Sequence, residues 1–232
     1  MVYGPLRRWF VESCPACSGP SCGGFCTVCA EEFAQVGNAC RRCGLAKPVA
    51  LCPLEQAAWQ VDAVLAPFTY GAPLDHYVHA LKYRGARLLG RAFALLLAPT
   101  LDALRHDVDA LVAVPLHHTR LRERGYNQAQ EIARTLGRSL RLPALERGIA
   151  RRAPTPTQTT QSARLRQTSV ARAFSVTRDL RGQRIAIVDD VVTTGATVNA
   201  LAAELKAAGA ARCVVFAVAR TPEPAPIQVR NV

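Results

Sequence analysis

One segment near the carboxyl end of the chain restricts the fold more than any other, and it reads Ile185-Ala-Ile-Val-Asp-Asp-Val-Val-Thr-Thr-Gly-Ala-Thr197. Its apolar residues predict a buried strand that brings two adjacent carboxylates, Asp189 and Asp190, to its carboxyl end. A short Thr/Gly turn then opens a helix, whose free N–H groups form a site for phosphate. Gly195 lets the backbone approach an anion closely, and the carboxylates can accept hydrogen bonds from a ribose diol. The segment therefore predicts an α/β fold with a site for a phosphorylated sugar.

Apolar runs alternate with amphipathic stretches in the chain after Trp59. The runs predict strands, and the 3.6-residue periodicity of the stretches predicts helices. Strands that alternate with helices form a mostly parallel sheet with flanking helices, and ligands bind beyond the carboxyl ends of such strands. Residues 115–125 and 189–195 emerge there. The predicted strands are 61–70, 109–114, 184–188 and 212–219, and the predicted helices are 74–81, 129–140 and 196–208.

The amino-terminal region is rich in cysteine, since eight of the nine cysteines fall in the first 52 residues. Each CxxC pair can present two thiolates to one metal ion. A redox CxxC is single and belongs to a βαβ pattern, and a disulfide framework is typical of secreted chains, so the repeated motif favours structural zinc. The three pairs are Cys14/Cys17, Cys26/Cys29 and Cys40/Cys43.

The spacing of the pairs predicts one complete zinc site and leaves a second one open. The first two pairs suit a closed tetrahedral site of four thiolates. The third pair would share a second site with Cys52, but Glu55 stands where the second cysteine of that pair is expected. Either Glu55 is an oxygen ligand, or Cys22 takes its place, or the second site is empty. Because this region has few large apolar side chains and needs a metal to fold, we predict a zinc ribbon over residues 1–58 and an α/β domain over residues 59–232.

The chain of 232 residues has a net charge of +12, and most of that charge lies in its middle part. Between residues 76 and 177 there are 17 Lys and Arg against 6 Asp and Glu. Such an excess attracts polyanions such as phosphorylated metabolites or nucleic acid, although a solvated basic face has the same composition. No run approaches the ~20 apolar residues of a membrane span, and no signal-peptide pattern follows Arg7 and Arg8. We therefore expect a cytoplasmic protein without a membrane span, and the oligomeric state stays open.

Segment 185–197 resembles the phosphoribosyl pyrophosphate (PRPP) fingerprint of type I phosphoribosyltransferases. Further motifs are similar to the ComF (competence protein F) family, and together with the CxxC-rich start they cover nearly the whole chain. The Arg-Gly-Tyr-Asn-Gln motif is particularly specific to that family. The similar segments are Leu81-Lys-Tyr-Arg84, Val114-Pro-Leu-His117, Arg120-Leu-Arg-Glu-Arg-Gly-Tyr-Asn-Gln128, Thr157-Gln158 and Arg164-Leu-Arg166.

The resemblance implies a type I phosphoribosyltransferase fold after a double zinc ribbon, and Mg²⁺-dependent transfer of phosphoribosyl from PRPP to an unknown acceptor. Asp189 and Asp190 would be the catalytic pair that holds the 2′ and 3′ hydroxyls of PRPP, and the Thr/Gly turn would wrap its 5′-phosphate. Mg²⁺ would bridge pyrophosphate and ribose oxygens. The implied PRPP-binding residues are Val188, Asp189, Asp190, Val191, Val192, Thr193, Thr194, Gly195, Ala196 and Thr197.

A second group of residues would meet the pyrophosphate in the same resemblance. It includes the loop after the second predicted strand, the basic residues near it, and a lid over residues 153–172. Histidines in loops are more often solvated than catalytic, and arginines after a strand can simply form a basic face. The group is Lys82, Pro115, Leu116, His117, Arg120, Arg124 and Arg164.

Three functions stay open on the sequence alone, and all of them use the same pocket. The first is an enzyme that transfers phosphoribosyl from PRPP. The second is a non-catalytic protein that handles incoming single-stranded DNA, as the competence family implies, although an aromatic content of 6% leaves few residues for stacking bases. The third is a sensor that binds PRPP without turning it over.

Overall fold

The structure is a computed structural model, and it describes residues 12–47, 52, 59–152 and 173–222. Its strands are β1 (Glu12–Ser13), β2 (Pro20–Ser21), β3 (Ala63–Leu65), β4 (Phe68–Thr69), β5 (Ala110–Ala113), β6 (Ile149–Arg151), β7 (Phe174–Val176), β8 (Arg184–Val192) and β9 (Arg212–Arg220). Its α-helices are α1 (Thr27–Glu31), α2 (Leu74–Tyr83), α3 (Leu88–Asp102), α4 (His118–Arg124), α5 (Gln128–Leu140) and α6 (Ala196–Ala207). Among the helices in these ranges, none is long and apolar enough to cross a membrane.

The centre of the molecule is a parallel sheet in the order β3, β9, β8, β5, with β4 also paired to β9. Ala110 of β5 pairs with Ile185 of β8, and Ile185 pairs in turn with Cys213 of β9. The predicted parallel sheet with flanking helices is confirmed. Because β5 and β8 are parallel neighbours, the segments that follow them leave the sheet at the same edge, which is where such folds bind ligands.

Two strands differ from the prediction. The strand expected over 61–70 is divided into β3 and β4, because Pro67 has no N–H group to donate to the ladder. β8 continues beyond the predicted end, since Val191 and Val192 still pair with β9. Asp189 and Asp190 therefore lie within the strand rather than after it, and strand alternation directs their side chains to opposite faces of the sheet.

Alternate residues of β8 build a hydrophobic core on each face of the sheet. On one face, Val188 packs with side chains of α2, α3 and α5 such as Phe93. On the other face, Ile187 packs with side chains of α6 such as Leu201. The strand that carries the two aspartates is thus fixed from both sides.

An antiparallel pair of short strands, β6 and β7, lies outside the main sheet, with Ile149 opposite Val176. The segment between these strands contains residues 153–172, which the sequence predicts to be a lid carrying Arg164. It lies outside the described residues, so the lid stays a prediction.

Aromatic side chains join the Cys-rich region to the α/β domain. The ring centroid of Phe25 lies 4.9 Å from that of Phe33, 5.1 Å from that of Tyr77 in α2 and 5.5 Å from that of Phe93 in α3. Phe33 is 2% exposed and belongs to the core on one face of the sheet. The two regions therefore share one hydrophobic core. The predicted boundary after residue 58 falls outside the described residues and stays a prediction.

Candidate functional site

A buried ion pair marks the carboxyl end of β8. Asp190 is 2% exposed, and its Oδ2 lies 2.9 Å from Nζ of Lys82 in the last turn of α2. Its Oδ1 accepts a hydrogen bond from the N–H of Val191 at 2.8 Å. Burial acts to lower the pKa of Lys82, but the neighbouring Asp190 outweighs it, so the pKa is raised. Lys82 is therefore charged at neutral pH and holds the Asp190 carboxylate in place.

Asp189 is only partly exposed, and its carboxyl group resists ionisation. Its Oδ1 accepts a hydrogen bond from the N–H of Asp190 at 2.9 Å. Burial raises the pKa of Asp189 well above its usual range, and the charge of Asp190 raises it further against the opposing effect of Lys82. Oδ2 of Asp190 accepts no hydrogen bond from the described part of the chain besides its ion pair. A hydroxyl donor or a cation beside Asp190 would satisfy this oxygen.

The turn of residues 193–197 connects β8 to α6. Gly195 caps the helix with a φ of +81°, a left-handed conformation that glycine adopts without strain. Thr193 and Thr194 are exposed, whereas Gly195 is buried. The first N–H groups of α6 have no acceptor within the helix, as at any helix N-terminus. Together with the two hydroxyls they form a site of the kind that binds phosphate.

The side chains of Trp59 and Arg220 both contact the turn of residues 193–197. A Cβ atom on Gly195 would lie 2.2 Å from Cη2 of Trp59, so the indole ring is in contact with this glycine. Arg220, at the end of β9, is 5% exposed, and its Nη1 donates to the carbonyl of Val192 at 3.0 Å and to the carbonyl of Thr193. The position of the turn therefore depends on residues outside segment 185–197.

The loop after β5 contains Pro115, Leu116 and His117. His117 is 8% exposed rather than solvated, and it precedes α4 as its capping residue. Its Nδ1 contacts Oγ1 of Thr119, and its ring centroid lies 4.0 Å from that of His118. Pro115 and Leu116 line a cavity of about 330 Å³ beside α4 and α5. The loop is thus a packed part of the structure with its own cavity.

Lys82, Arg120 and Arg124 line a second cavity of about 340 Å³ beside Asp190. The sequence singled out all three residues, and the structure brings them together. Arg151 of β6 lies near these residues. Burial lowers the pKa of Arg151, and the positive charge of Arg120 lowers it further, whereas the negative charge of Asp189 acts to raise it. Lys82, Arg120 and Arg124 thus line this cavity together with Glu123, and Arg151 is close enough to Asp189 and Arg120 to feel their charges.

Seven cysteines form two groups in which all sulfur atoms lie within 4.8 Å of one another. Clustered thiolates are the donors that Zn²⁺ takes in structural sites, so both groups fit zinc. Cys22 is exposed and belongs to neither group, and Glu55 lies outside the described residues, so its role as a fourth ligand stays a prediction. The first Cys cluster is Cys14, Cys17, Cys26 and Cys29, and the second Cys cluster is Cys40, Cys43 and Cys52.

Hydrogen bonds from backbone N–H groups favour the thiolate form of Cys14, which is the form that binds a metal cation. Burial opposes ionisation of Cys14, but N–H groups including those of Ala16 and Cys26, 3.4 and 3.3 Å from its Sγ, lower its pKa to about 6. In the second Cys cluster, burial and the thiolate of Cys40 raise the pKa of Cys43 to about 12. A divalent cation would remove this repulsion between sulfurs.

Named proteins resemble this chain over most of its length. The chain is 34% identical over 208 residues to the DNA utilization protein YhgH of Escherichia coli K12, which covers 85% of this chain and 91% of that protein. It is 29% identical over 231 residues to Competence protein F of Haemophilus influenzae, which covers 93% of this chain and 100% of that protein. The chain belongs to the ComF family.

The ComF chain also matches the family model of the phosphoribosyl transferase domain over residues 121–227. This range contains β8, the 193–197 turn, α6 and β9. With the parallel sheet, the match confirms the type I phosphoribosyltransferase fold, and the Cys clusters before it are compatible with a zinc ribbon. The purine phosphoribosyltransferase of Pyrococcus horikoshii aligns with a TM-score of 0.37 and 20% identity, over 60% of this chain and 78% of that chain.

Three residues at the site of this ComF-family chain were missed by the sequence analysis. Trp59 and Arg151 gave no signal, because neither stands in a motif that carries chemistry. Arg220 did give one: a charged residue at the end of an apolar strand needs a buried partner or an exposed position. Arg164, which the sequence did single out, lies outside the described residues.

Proposed function

We propose that this ComF-family protein binds PRPP at the carboxyl end of β8 and, with Mg²⁺, transfers its phosphoribosyl group to an acceptor still to be identified. One observation carries the proposal: on the sheet of a phosphoribosyltransferase domain, Asp189 and Asp190 lie at the end of the strand whose following turn leads into a glycine-capped helix N-terminus. The carboxylates would accept hydrogen bonds from the ribose hydroxyls, and the 193–197 turn would bind the 5′-phosphate.

The proposed reaction breaks the bond between the anomeric carbon and pyrophosphate and forms a bond from that carbon to the acceptor. Pyrophosphate leaves with the electron pair, so positive charges near its oxygens lower the barrier. Lys82, Arg120 and Arg124 supply such charges from one cavity. The Asp190 carboxylate would balance part of the positive charge that develops on the ribose ring, and Asp189 would accept a hydrogen bond from a ribose hydroxyl. Mg²⁺ bound to PRPP would neutralise part of the charge of the pyrophosphate.

A calorimetric titration of the zinc-loaded protein with PRPP, with and without Mg²⁺, tests the proposal. We expect micromolar binding that depends on Mg²⁺. The Asp189→Asn/Asp190→Asn variant should bind at least about tenfold more weakly, because a hydrogen bond to a charged group contributes roughly 1.5–3 kcal/mol. The matched control is Asp109→Asn, which removes a carboxylate paired with Arg184 at the other end of β8 and should leave binding unchanged.

The outcomes separate the possible activities. Wild-type protein that does not bind PRPP at any Mg²⁺ concentration contradicts the proposal. Binding without release of pyrophosphate, across a panel of nucleobase and amine acceptors, would instead assign the protein a sensing role. Binding that is equally strong in the double asparagine variant would remove the aspartates from the site.

A second candidate function, binding of single-stranded DNA, is supported by an exposed ring beside the site. Tyr83 is 61% exposed at the end of α2, next to Lys82. The guanidinium of Arg124 lies 5.1 Å from its ring centroid, and the ring of His79 lies 4.8 Å away. An aromatic ring among cations is a stacking platform for a base. The names of the relatives, DNA utilization protein and Competence protein F, accord with this function.

Substitution of Tyr83 tests the second candidate. Tyr83→Ala is expected to weaken binding of a fluorescein-labelled single-stranded oligonucleotide by about tenfold, since stacking contributes ~1–3 kcal/mol per base. Tyr83→Phe keeps the ring and should bind as the wild type does. Fluorescence anisotropy over a series of salt concentrations measures both, and affinity should fall as salt rises. If the wild-type protein does not bind the oligonucleotide at low salt, this candidate function is wrong.

We further propose that both Cys clusters hold structural zinc and that the protein acts in the cytoplasm. Clustered thiolates that bind zinc stay reduced in the cytoplasm, which accords with this location. The first Cys cluster has the four sulfurs of a closed site. The second has three, and Glu55 is the candidate for its fourth ligand.

A further inference from the structure

Arg220 connects the second Cys cluster to the 193–197 turn. Its Nε donates to the carbonyl of Cys43 at 3.0 Å, and its Nη1 donates to the carbonyls of Val192 and Thr193. The side chain is buried, so these hydrogen bonds are shielded from water. One planar guanidinium group thus binds the backbone of a metal-ligand turn and the backbone that begins the helix-capping turn.

The hydrogen bonds of Arg220 also set the direction of N–H groups in the turn. In a trans peptide the C=O and the N–H of the next residue point in opposite directions. Because Arg220 holds the carbonyls of Val192 and Thr193 on its own side, the N–H groups of Thr193 and Thr194 point away from it. Donors fixed in this way need no reorganisation when an anion binds.

Trp59 forms a second connection between the same two places. Its ring packs against the buried group of Cys43, Leu45 and Cys52, and it also contacts Gly195. Gln60, the residue after Trp59, is also bonded to the helix that follows the turn: its N–H donates to Oδ1 of Asn199 in α6 at 2.6 Å. A shift of the second Cys cluster would therefore reach the turn through packing as well as through hydrogen bonds.

We propose that Arg220 and Trp59 are positioning residues that make phosphate binding at the 193–197 turn depend on the metal occupancy of the second Cys cluster. When the cluster loses its metal, the Cys43 carbonyl and the Trp59 ring lose their fixed positions, and the N–H groups of the turn are no longer preorganised. The first Cys cluster lies elsewhere, where Gly24 packs against Leu95 of α3. The inference rests on the proposed function, because PRPP is the ligand whose 5′-phosphate the turn would bind.

The test compares cysteine variants in a Trp9→Phe background, in which Trp59 is the single tryptophan. Zinc content, thermal midpoint, Trp59 emission and calorimetric affinity for PRPP are measured for each. Cys52→Ser should lose one zinc ion, shift the Trp59 emission and bind PRPP about tenfold more weakly. Cys22→Ser, an exposed cysteine outside both clusters, should match the background protein. Cys17→Ser, in the first Cys cluster, should weaken PRPP binding less than Cys52→Ser does.

The Arg220→Lys variant tests whether Arg220 positions the 193–197 turn or only stabilises the fold. Lysine keeps the charge but cannot bridge the two backbones, so PRPP affinity should fall about tenfold. Adding Cys52→Ser to Arg220→Lys should then change the affinity little, because both act through the same connection. Additive losses overturn the coupling.

The failures of the two proposals are distinguishable. Background protein that does not bind PRPP overturns the proposed function and this inference together. Background protein that binds PRPP while Cys52→Ser binds it equally well overturns the coupling alone. Should Cys52→Ser fail to fold, PRPP titrated into the zinc-loaded background protein still decides: a change in Trp59 emission supports the contact with the turn, and an unchanged emission overturns it.

Discussion

Replacement of Gly195 by alanine is expected to weaken PRPP binding by at least about a hundredfold and to destabilise the fold by about 3 kcal/mol. Its φ of +81° disfavours any residue with a Cβ, which costs about 1 kcal/mol. The new methyl group would also lie 2.2 Å from Cη2 of Trp59. Because Trp59 packs against Cys43, Leu45 and Cys52, it cannot move freely. The turn would be displaced instead, and with it the N–H groups that are proposed to bind the phosphate.

Gly182→Ala is the matched control for this prediction. Gly182 has a φ of +73°, and none of the described atoms lies within 4 Å of the position that its Cβ would take. Alanine there should cost about 1 kcal/mol through backbone conformation alone and should leave PRPP affinity unchanged. Urea unfolding and calorimetry measure both variants. Equal effects of the two substitutions would show that Trp59 does not restrict the turn.

Replacement of Lys82 by methionine is expected to cost about 3 kcal/mol of folding free energy at neutral pH. The side chain of Asp190 is 3% exposed, and the variant would leave its charge buried without a cation. In the wild type the pKa of Lys82 is raised, so the stabilisation is fully present below the ordinary lysine value of 10.5. It is lost as pH rises through the raised pKa. Urea unfolding at neutral and at strongly alkaline pH measures the difference, which should shrink in alkali.

Lys206→Met provides the comparison for Lys82→Met. Lys206 pairs with Asp62 at 3.0 Å, but the side chain of Asp62 is 36% exposed, so the loss should stay below about 1 kcal/mol. The double variant Lys82→Met/Asp190→Asn removes both charges and should regain part of the stability lost in Lys82→Met. If the two lysine variants lose the same stability, Asp190 is not a buried charge in need of a partner.

Local pattern was sufficient to predict the strand and the turn of the candidate site. The apolar run before Asp189 and the glycine before a helix are signals that neighbouring residues carry by themselves. The pattern misplaced the end of β8, because Val192 pairs with β9 and such pairing is not visible in a single segment. Strand length is decided by the neighbouring strand as much as by the sequence of the strand itself.

Contacts between distant segments could not be predicted in the same way. Lys82 stood in a recognised motif, but its pairing with Asp190 depends on how α2 packs over the sheet. Arg220 and Trp59 are far apart in the sequence, and both contact the 193–197 turn. The role of these residues depends on where they lie in the folded protein, and the spacing of residues in the sequence does not give that location.

The aromatic contacts of Phe25 and Phe33 restrict how this chain can evolve. Each ring packs against residues of the other region, so a substitution on one side, such as at Tyr77, changes the packing of both. Recombination that joined this Cys-rich region to a different α/β domain would place Phe25 and Phe33 against unmatched side chains. We therefore expect the two regions to be inherited together and their aromatic residues to change together between related lineages.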